Sequence, residues 1–286
     1  MGCGPSRERV AGLESLVRAE RLFATLCQEQ GIKAAFLAYL DKDAVVFRPH
    51  PVNGLAWYSG SPETGAKLAW EPAFADVSLA GDLGYTTGPW SLGDKGVQQN
   101  VFGQYVSVWR RKPGGEWKVA IDVGVVHPKP GDGGKPGRRT EYASQGRSSI
   151  ADSTDTKRQR RLLRDASQRY FQVWGARGVE DAYREFASDE VLALRGGAFP
   201  ARGKSEAFGL VSGEPPVSTI EAMGGDLAAS GDLGYTYGVL RWEGVEGREE
   251  RAASYLWVWK RGADGSWKLV VDIAVADERP SGGDGE

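Results

Sequence analysis

Two aspartates, Asp122 and Asp272, each interrupt an apolar run of strand character, Trp117 to Val125 and Trp267 to Val275. A carboxylate held in apolar surroundings titrates above its ordinary range, which suits a general base. The same side chain bonded to a Tyr, Trp or backbone donor is a structural feature of a packed sheet. Both readings remain open at this level. Four phenols accompany the aspartates, Tyr85 and Tyr105 in the first half and Tyr235 and Tyr255 in the second. A phenol facing a cavity donates to an oxyanion, whereas a phenol in a core bonds to its neighbours. Trp57 and Tyr58, near His50, fall in a Pro- and Gly-rich stretch that reads as a loop peculiar to the first half. That stretch is a candidate pocket mouth or a surface turn.

Other chemistries find little support. The two histidines, His50 and His127, are far apart beside prolines, so no zinc site or cofactor is expected. Cys27 falls on a helical apolar stripe and Cys3 in the N-terminal segment, a pair that makes no disulfide framework. No nucleophile, base and orienting group share a recognisable spacing, and no catalytic residue is assigned.

Strand alternation predicts which way Asp122 points. Trp117, Val119, Ile121, Val123 and Val125 share one face, read as the helix-packed core, and Asp122 faces away from it toward the other half. A bulge in mid-strand reverses this orientation. Tyr105, Trp109, Tyr255, Trp257 and Trp259 alternate with Val106, Val108, Leu256 and Val258. Both faces of these strands are bulky, so both are expected to be covered, one by helices and one by a partner sheet.

The elements that carry these residues occur twice. Gly81-Asp82-Leu83-Gly84-Tyr85-Thr86 recurs 150 residues later as Gly231-Asp232-Leu233-Gly234-Tyr235-Thr236, and residues 81–124 match 231–274 at 15 of 44 positions. Unrelated sequences of ordinary composition would match at about 3. The helical parts repeat at a shift of 147, with Phe23, Gly31, Phe36 and Tyr39 against Tyr170, Gly178, Tyr183 and Phe186. The three-residue difference is expected near residues 49–61 and 196–203. Leu13, Leu16, Val17, Phe23, Leu26 and Cys27 recur at helical spacing before Gly31, and a second helix is read over 32–40. A short strand over 44–47 and longer ones near 70–80, 83–91, 99–112 and 116–126 follow. Helices first and an antiparallel meander after them make an α+β class, with two tandem cone-shaped domains. The expected boundaries are 10–127 for the first copy, 128–156 for a flexible linker, 157–278 for the second copy and 279–286 for a disordered tail.

Composition agrees with two globular domains: 286 residues, 41% hydrophobic and 26% charged. The net charge of −2, from 36 basic and 38 acidic residues, argues against nucleic acid as a partner. Lys157 to Arg161 is a basic run without interleaved aromatics and reads as a solvated helix start. A membrane enters only through Gly2 or Cys3, as a myristoylation pattern or the lipidated cysteine of a bacterial lipoprotein.

The Gly81–Gly88 segment, Tyr105-Val106-Ser107-Val108-Trp109-Arg110-Arg111, Gly115-Glu116-Trp117-Lys118-Val119 and their second-copy counterparts resemble the nuclear transport factor 2-like superfamily. SnoaL-like cyclases and ketosteroid isomerases belong to it, and the sequence is most similar to an uncharacterised bacterial branch. The resemblance implies helices closing over a bent sheet around an apolar pocket, with pairing through the sheets. It also implies export, periplasmic or lipid-anchored, with a cytoplasmic location as the alternative. Family enzymes use a pocket carboxylate with acidic or phenolic donors, or a His–Asp pair; neither copy has a histidine in its last two predicted strands.

The expected function is therefore binding of a small apolar or aromatic molecule by a pseudo-dimer of two copies. The binding residues are drawn from Trp57, Tyr58, Tyr85, Tyr105, Asp122, Tyr235, Tyr255 and Asp272. One alternative is an isomerase, dehydratase or cyclase with Asp122 or Asp272 as base and Tyr85 or Tyr105 as donor. Another is a purely structural or interaction module.

Overall fold

The computed structural model describes residues 7–93, 100–131, 141–142, 156–243 and 251–277. The first copy runs α1 (Arg7–Gln30), α2 (Ile32–Tyr39), β1 (Leu40–Phe47), β2 (Pro51–Asn53), α3 (Gly54–Gly60), β3 (Lys67–Trp70), β4 (Phe74–Val77), β5 (Leu83–Gly93), β6 (Val101–Arg111) and β7 (Trp117–His127). Within the segment read as linker, β8 (Glu141–Tyr142) pairs parallel to β4. The second copy runs α4 (Thr156–Arg177), α5 (Val179–Phe186), β9 (Ala187–Arg195), β10 (Ala201–Arg202), α6 (Lys204–Val211), β11 (Thr219–Leu227), β12 (Leu233–Trp242), β13 (Arg251–Arg261) and β14 (Trp267–Ala276). The sheet orders are β2-β1-β7-β6-β5-β4-β8, with β3 also on β5, and β10-β9-β14-β13-β12-β11. The architecture is thus α+β in two tandem copies. Each meander is antiparallel, but β1 and β9 join β7 and β14 in parallel.

Two differences from the sequence-based expectation matter. The Trp57–Tyr58 stretch is a helix, α3, begun by Asn53, whose side chain accepts from Ala56 N at 2.8 Å. It is not peculiar to the first copy, since α6 follows β9 as α3 follows β1. The three-residue difference lies just before these helices, in the turns between β1 and α3 and between β9 and α6.

The helices close tightly on the sheets. A Cβ at Gly84 would sit 2.6 Å from Leu16 Cδ2, and one at Gly234 2.6 Å from Leu163 Cδ2, so both glycines admit a leucine of the long helix. Leu16, Phe23, Phe36, Trp109, Trp117 and Val119 form the helix-side core of the first copy. Tyr170, Trp174, Tyr183, Trp257, Trp259 and Leu269 form that of the second.

The opposite faces pack on each other in a third core, where Tyr85, Val106, Val108, Ile121 and Val123 meet Tyr235, Leu256, Val258, Val271 and Ile273. The expectation that both faces are covered holds. The contacts at its margin are reciprocal. Asp82 accepts from Ala229 N at 2.9 Å, and Asp232 accepts from Leu79 N at 3.2 Å. Lys260 meets Asp76 at 2.6 Å, and Arg110 approaches Asp226 at 3.8 Å. Residues related by the 150-residue shift thus exchange roles, as in an isologous dimer joined into one chain.

Candidate functional site

One strand irregularity decides the site. In β7, Trp109 pairs with Val119 while Val108 pairs with Ile121, so Ala120 is an extra residue. The bulge puts Trp117 and Val119 on the helix side but Ile121, Val123 and Val125 in the core between the copies. Asp122 and Gly124 therefore face the helices, opposite to simple alternation. β14 bulges identically at Val270, and Asp272 turns the same way.

In the first copy this face encloses a cavity of about 320 Å³. Phe23, Phe36 and Tyr58 from the helices face Trp70, Trp90 and Tyr105 from the sheet, with Asp122 and Arg48 as the charged groups. The rings pack edge to face or stacked: Phe23 lies 4.8 Å from Trp70, and Phe36 4.4 Å from Tyr58. Trp90 lies against bare strand, for a Cβ at Gly103 would approach its ring to 2.4 Å. Asp122, walled by protein but open to the cavity, accepts from Ser107 Oγ at 2.8 Å. Burial raises its pKa above the usual aspartate range, against the pull of the Arg48 charge and the Ser107 hydrogen bond. Arg48 does not clasp it. The guanidinium donates to the Tyr58 hydroxyl and, at 2.6 Å, to its neighbour's carbonyl at Phe47. Burial pushes the Tyr58 phenol up to about 12, with Arg48 opposing.

Behind the cavity lies Glu20, fully buried on α1. Trp70 Nε1 donates to its carboxylate at 2.6 Å, Trp109 Nε1 at 2.9 Å, and the Thr86 hydroxyl also donates. Burial raises its pKa to about 7; the Thr86 and Trp70 hydrogen bonds resist, Asp122 adds to the rise and Trp109 resists further. Sequence reasoning passed over Glu20, although a signal existed. The apolar stripe Leu13, Leu16/Val17, Phe23, Cys27 runs through position 20, where only Glu breaks it.

In the second copy the corresponding space is filled. Trp257 stands where the first copy has Ser107, its ring 4.1 Å from Tyr255. Asp272 accepts from Tyr183 Oη at 2.5 Å, Trp257 Nε1 at 3.1 Å and Arg195 Nη2 at 2.8 Å, and is fully buried. Arg195 also pairs with Glu214 at 2.6 Å.

Of the residues singled out from sequence, Tyr58, Tyr105 and Asp122 converge on the first cavity. Trp57, on the next position of α3, is 42% exposed and faces an outer cleft instead. Tyr85 and Tyr235 belong to the core between the copies, because their strand positions alternate away from the helices. Tyr255 and Asp272 are sealed in the second core. Cys3 lies outside the described residues. Cys27 is buried, and burial raises its thiol to about 11. His127 ends β7, one residue beyond the expected strand, and packs 4.9 Å from Phe199 outside the cavity. His50 Nδ1 is 3.3 Å from Asp277 of the second copy. Among the described residues no helix is long and apolar enough to cross a membrane, and no group of three or more His, Cys, Asp or Glu is placed to hold a metal ion.

The fold and site define a tandem of two curved-sheet α+β domains with one open and one closed concave face. No family model matches the chain and no curated protein matches it. Among solved structures it is similar to a ketosteroid isomerase-like protein from Erwinia carotovora atroseptica, at 18% identity over 41% of this chain and 97% of the other, with a TM-score of 0.34. It is similar to an NTF2-like protein from Cytophaga hutchinsonii at 19% identity over 42% and 98%, with a TM-score of 0.34. An LEH-like epoxide hydrolase of M. tuberculosis aligns at 13% identity over 39% and 78%, with a TM-score of 0.29. Each likeness spans about half of this chain at most, and no activity is carried over from it.

Proposed function

We propose that the first copy binds a small aromatic or alicyclic molecule bearing one polar group, while the second copy is its closed structural partner. The observation that carries this reading is the contrast between the two aspartates. Asp122 opens onto an aromatic cavity with a single hydrogen bond from Ser107, whereas Asp272 is sealed by three donors. A volume of about 320 Å³ is at the small end for ligand sites, which suits a one- or two-ring molecule. Asp122 and the Arg48–Tyr58 pair supply the polar anchors, and the rings supply most of the binding energy through apolar burial. Calorimetry against a library of small cyclic alcohols, ketones and phenols tests this. Binding should occur in the native chain and be lost in Ile32→Trp, which fills the cavity rim. Uniform failure of such compounds to bind the native chain would defeat the proposal.

A second reading is proton transfer on the bound molecule, with Asp122 as general base in an isomerase, dehydratase or cyclase. Its support is that Asp122 keeps lone pairs free toward the cavity and titrates above the ordinary range. Deuterium uptake from solvent at an acidic C–H of a bound ketone, abolished in Asp122→Asn, distinguishes catalysis from binding alone. No uptake in the native protein with binding intact rejects the catalytic reading.

A further inference from the structure

Arg48 and Asp122 bring opposite charges to the wall of one cavity, and both keep part of their surface open. Their described hydrogen bonds go elsewhere. Arg48 Nη1 donates to Phe47 O at 2.6 Å, Arg48 Nη2 donates to the Tyr58 hydroxyl, and Asp122 Oδ2 accepts from Ser107 Oγ at 2.8 Å. Among the described residues Asp122 Oδ1 receives no donor, and the guanidinium has N–H groups beyond the two it uses. The ion pair is split.

The second copy shows that the strand geometry lets such a pair close. Asp122 is in register with Val46, two residues before Arg48, and Asp272 with Ala193, two residues before Arg195. From that equal start Arg195 Nη1 makes the same local contact, to Leu194 O at 3.0 Å, but Nη2 reaches Asp272 Oδ2 at 2.8 Å. The fate of Nη2 is the difference. In the first copy the Tyr58 phenol of α3 takes it, and Tyr58 is buried and stacked on Phe36 at 4.4 Å. In the second copy α6 carries no tyrosine, and Glu214 accepts from Arg195 Nε at 2.6 Å.

We propose that Tyr58 is a positioning residue that keeps Arg48 and Asp122 apart, and that the split pair selects an amide, borne on or within a ring, as the ligand of the first cavity. The inference rests on the reading of that cavity as a ligand site. An amide carries a donor and an acceptor on one planar group. Its N–H donates to Asp122 Oδ1 while its carbonyl accepts from Arg48, and both hydrogen bonds are strengthened by the charge on the protein side. A ketone answers Arg48 and leaves the carboxylate without a donor, at a cost in binding. A ligand carboxylate answers Arg48 and is repelled by Asp122. The rings of Phe36, Trp70 and Trp90 cover the apolar body in each case, so the polar group decides among ligands of one shape.

The test joins calorimetry on the full chain to an NMR titration of the Asp122 carboxyl carbon in the ligand-free protein. Benzamide and acetophenone share a ring and a carbonyl and differ in the donor, NH2 against CH3. Benzamide should bind the native chain about tenfold more tightly, the worth of a hydrogen bond to a charged group. Tyr58→Phe keeps the stack on Phe36 but frees Arg48, which should swing to Asp122 as Arg195 does to Asp272. The preference for benzamide should then vanish. Asp122, raised above the ordinary aspartate range by burial in the native protein, should titrate lower in the variant. The phenol is neutral up to about 12, so its loss alone removes no charge near Asp122. The other titratable groups facing Asp122, Glu20 of α1 and Tyr105 of β6, stay in place. An Asp122 titration unchanged in Tyr58→Phe overturns the positioning role, whatever binds. Equal affinities of the two ligands for the native chain overturn the amide assignment and leave the cavity standing as a ligand site. Binding of neither defeats that site, and the amide assignment falls with it.

Discussion

The two copies share a bulge, an inward aspartate and an arginine at the end of the first long strand, yet they use these groups in opposite ways. Arg195 clasps Asp272 directly, whereas Arg48 turns to Tyr58 and leaves Asp122 to the cavity. Few positions separate the outcomes. Tyr183 and Trp257 donate to Asp272 where the first copy has Phe36 and Ser107. Phe208 of α6 stands where α3 carries Tyr58, and Ser167 where α1 carries Glu20. The comparison teaches that the interface and the concave site are separable. The shared face keeps its reciprocal contacts in both copies, while the helix-side face is closed in one and hollow in the other.

The largest expected effect follows from filling versus hollow space. Trp257→Ser removes a fully buried indole and one donor to Asp272, and should destabilise the protein by about 3–5 kcal/mol in urea denaturation. Ser107→Ala, at the matching position, should cost only about 1 kcal/mol, the value of its hydrogen bond to Asp122. Equal losses at the two sites would erase the distinction between closed and open halves. Asp272→Asn is next. It removes charge from a buried pair and leaves Arg195 with Glu214 alone, for a loss of about 3 kcal/mol. Asp122→Asn should be neutral or stabilising at pH 8, since burial already opposes its charge.

The fold was largely legible in the amino-acid order, and the site only in part. The Gly-Asp-Leu-Gly-Tyr-Thr repeat disclosed the duplication, and the alternation of bulky residues through Tyr105–Trp109 disclosed that both sheet faces are covered. Simple alternation aims Asp122 away from the helices and a bulge aims it toward them; the sequence does not choose, because a bulge at Ala120 leaves no mark in a run that is apolar on both sides. Tyr85 and Tyr235 carry two readings, cavity donor or core phenol, and lie in the core between the copies. The stretch with Trp57 and Tyr58 reads as a loop because a helix of 7 residues bounded by glycines carries too little periodicity to register. Glu20 and the Ser107/Trp257 exchange were visible once the copies were aligned. Neither has meaning until packing shows that the carboxylate is enclosed and the indole fills a cavity.

The open half should also carry a pH signature. Glu20 titrates near 7 in the fold and near 4.5 when exposed, so the folded state favours its protonated form. Its contribution is complete below pH 4.5 and disappears as pH rises through 7, a change of up to about 3 kcal/mol. Asp122 shifts in the same direction. Urea midpoints should therefore fall between pH 5 and 8, less steeply in Glu20→Gln, and the slope should be insensitive to Trp257→Ser. Retention of the full slope in Glu20→Gln would transfer the titration to another group.

On the face the two copies share, the comparison should yield near equality. Asp82 caps the turn of the second copy through Ala229 N, and Asp232 that of the first through Leu79 N. Each also takes a nearby hydroxyl, Ser78 at 2.8 Å and Ser230 at 2.5 Å. Asp82→Ala and Asp232→Ala should each cost about 1–2 kcal/mol, with Asp232 the larger because it is buried and receives Leu79 N on both oxygens. Neither bond joins the cavity, so ligand affinity should stay within twofold of the native chain in both variants. A loss confined to one of the two would mean that the reciprocal pairing is geometric only, with one copy holding the other. A change in affinity would show that the shared face and the concave site are coupled after all.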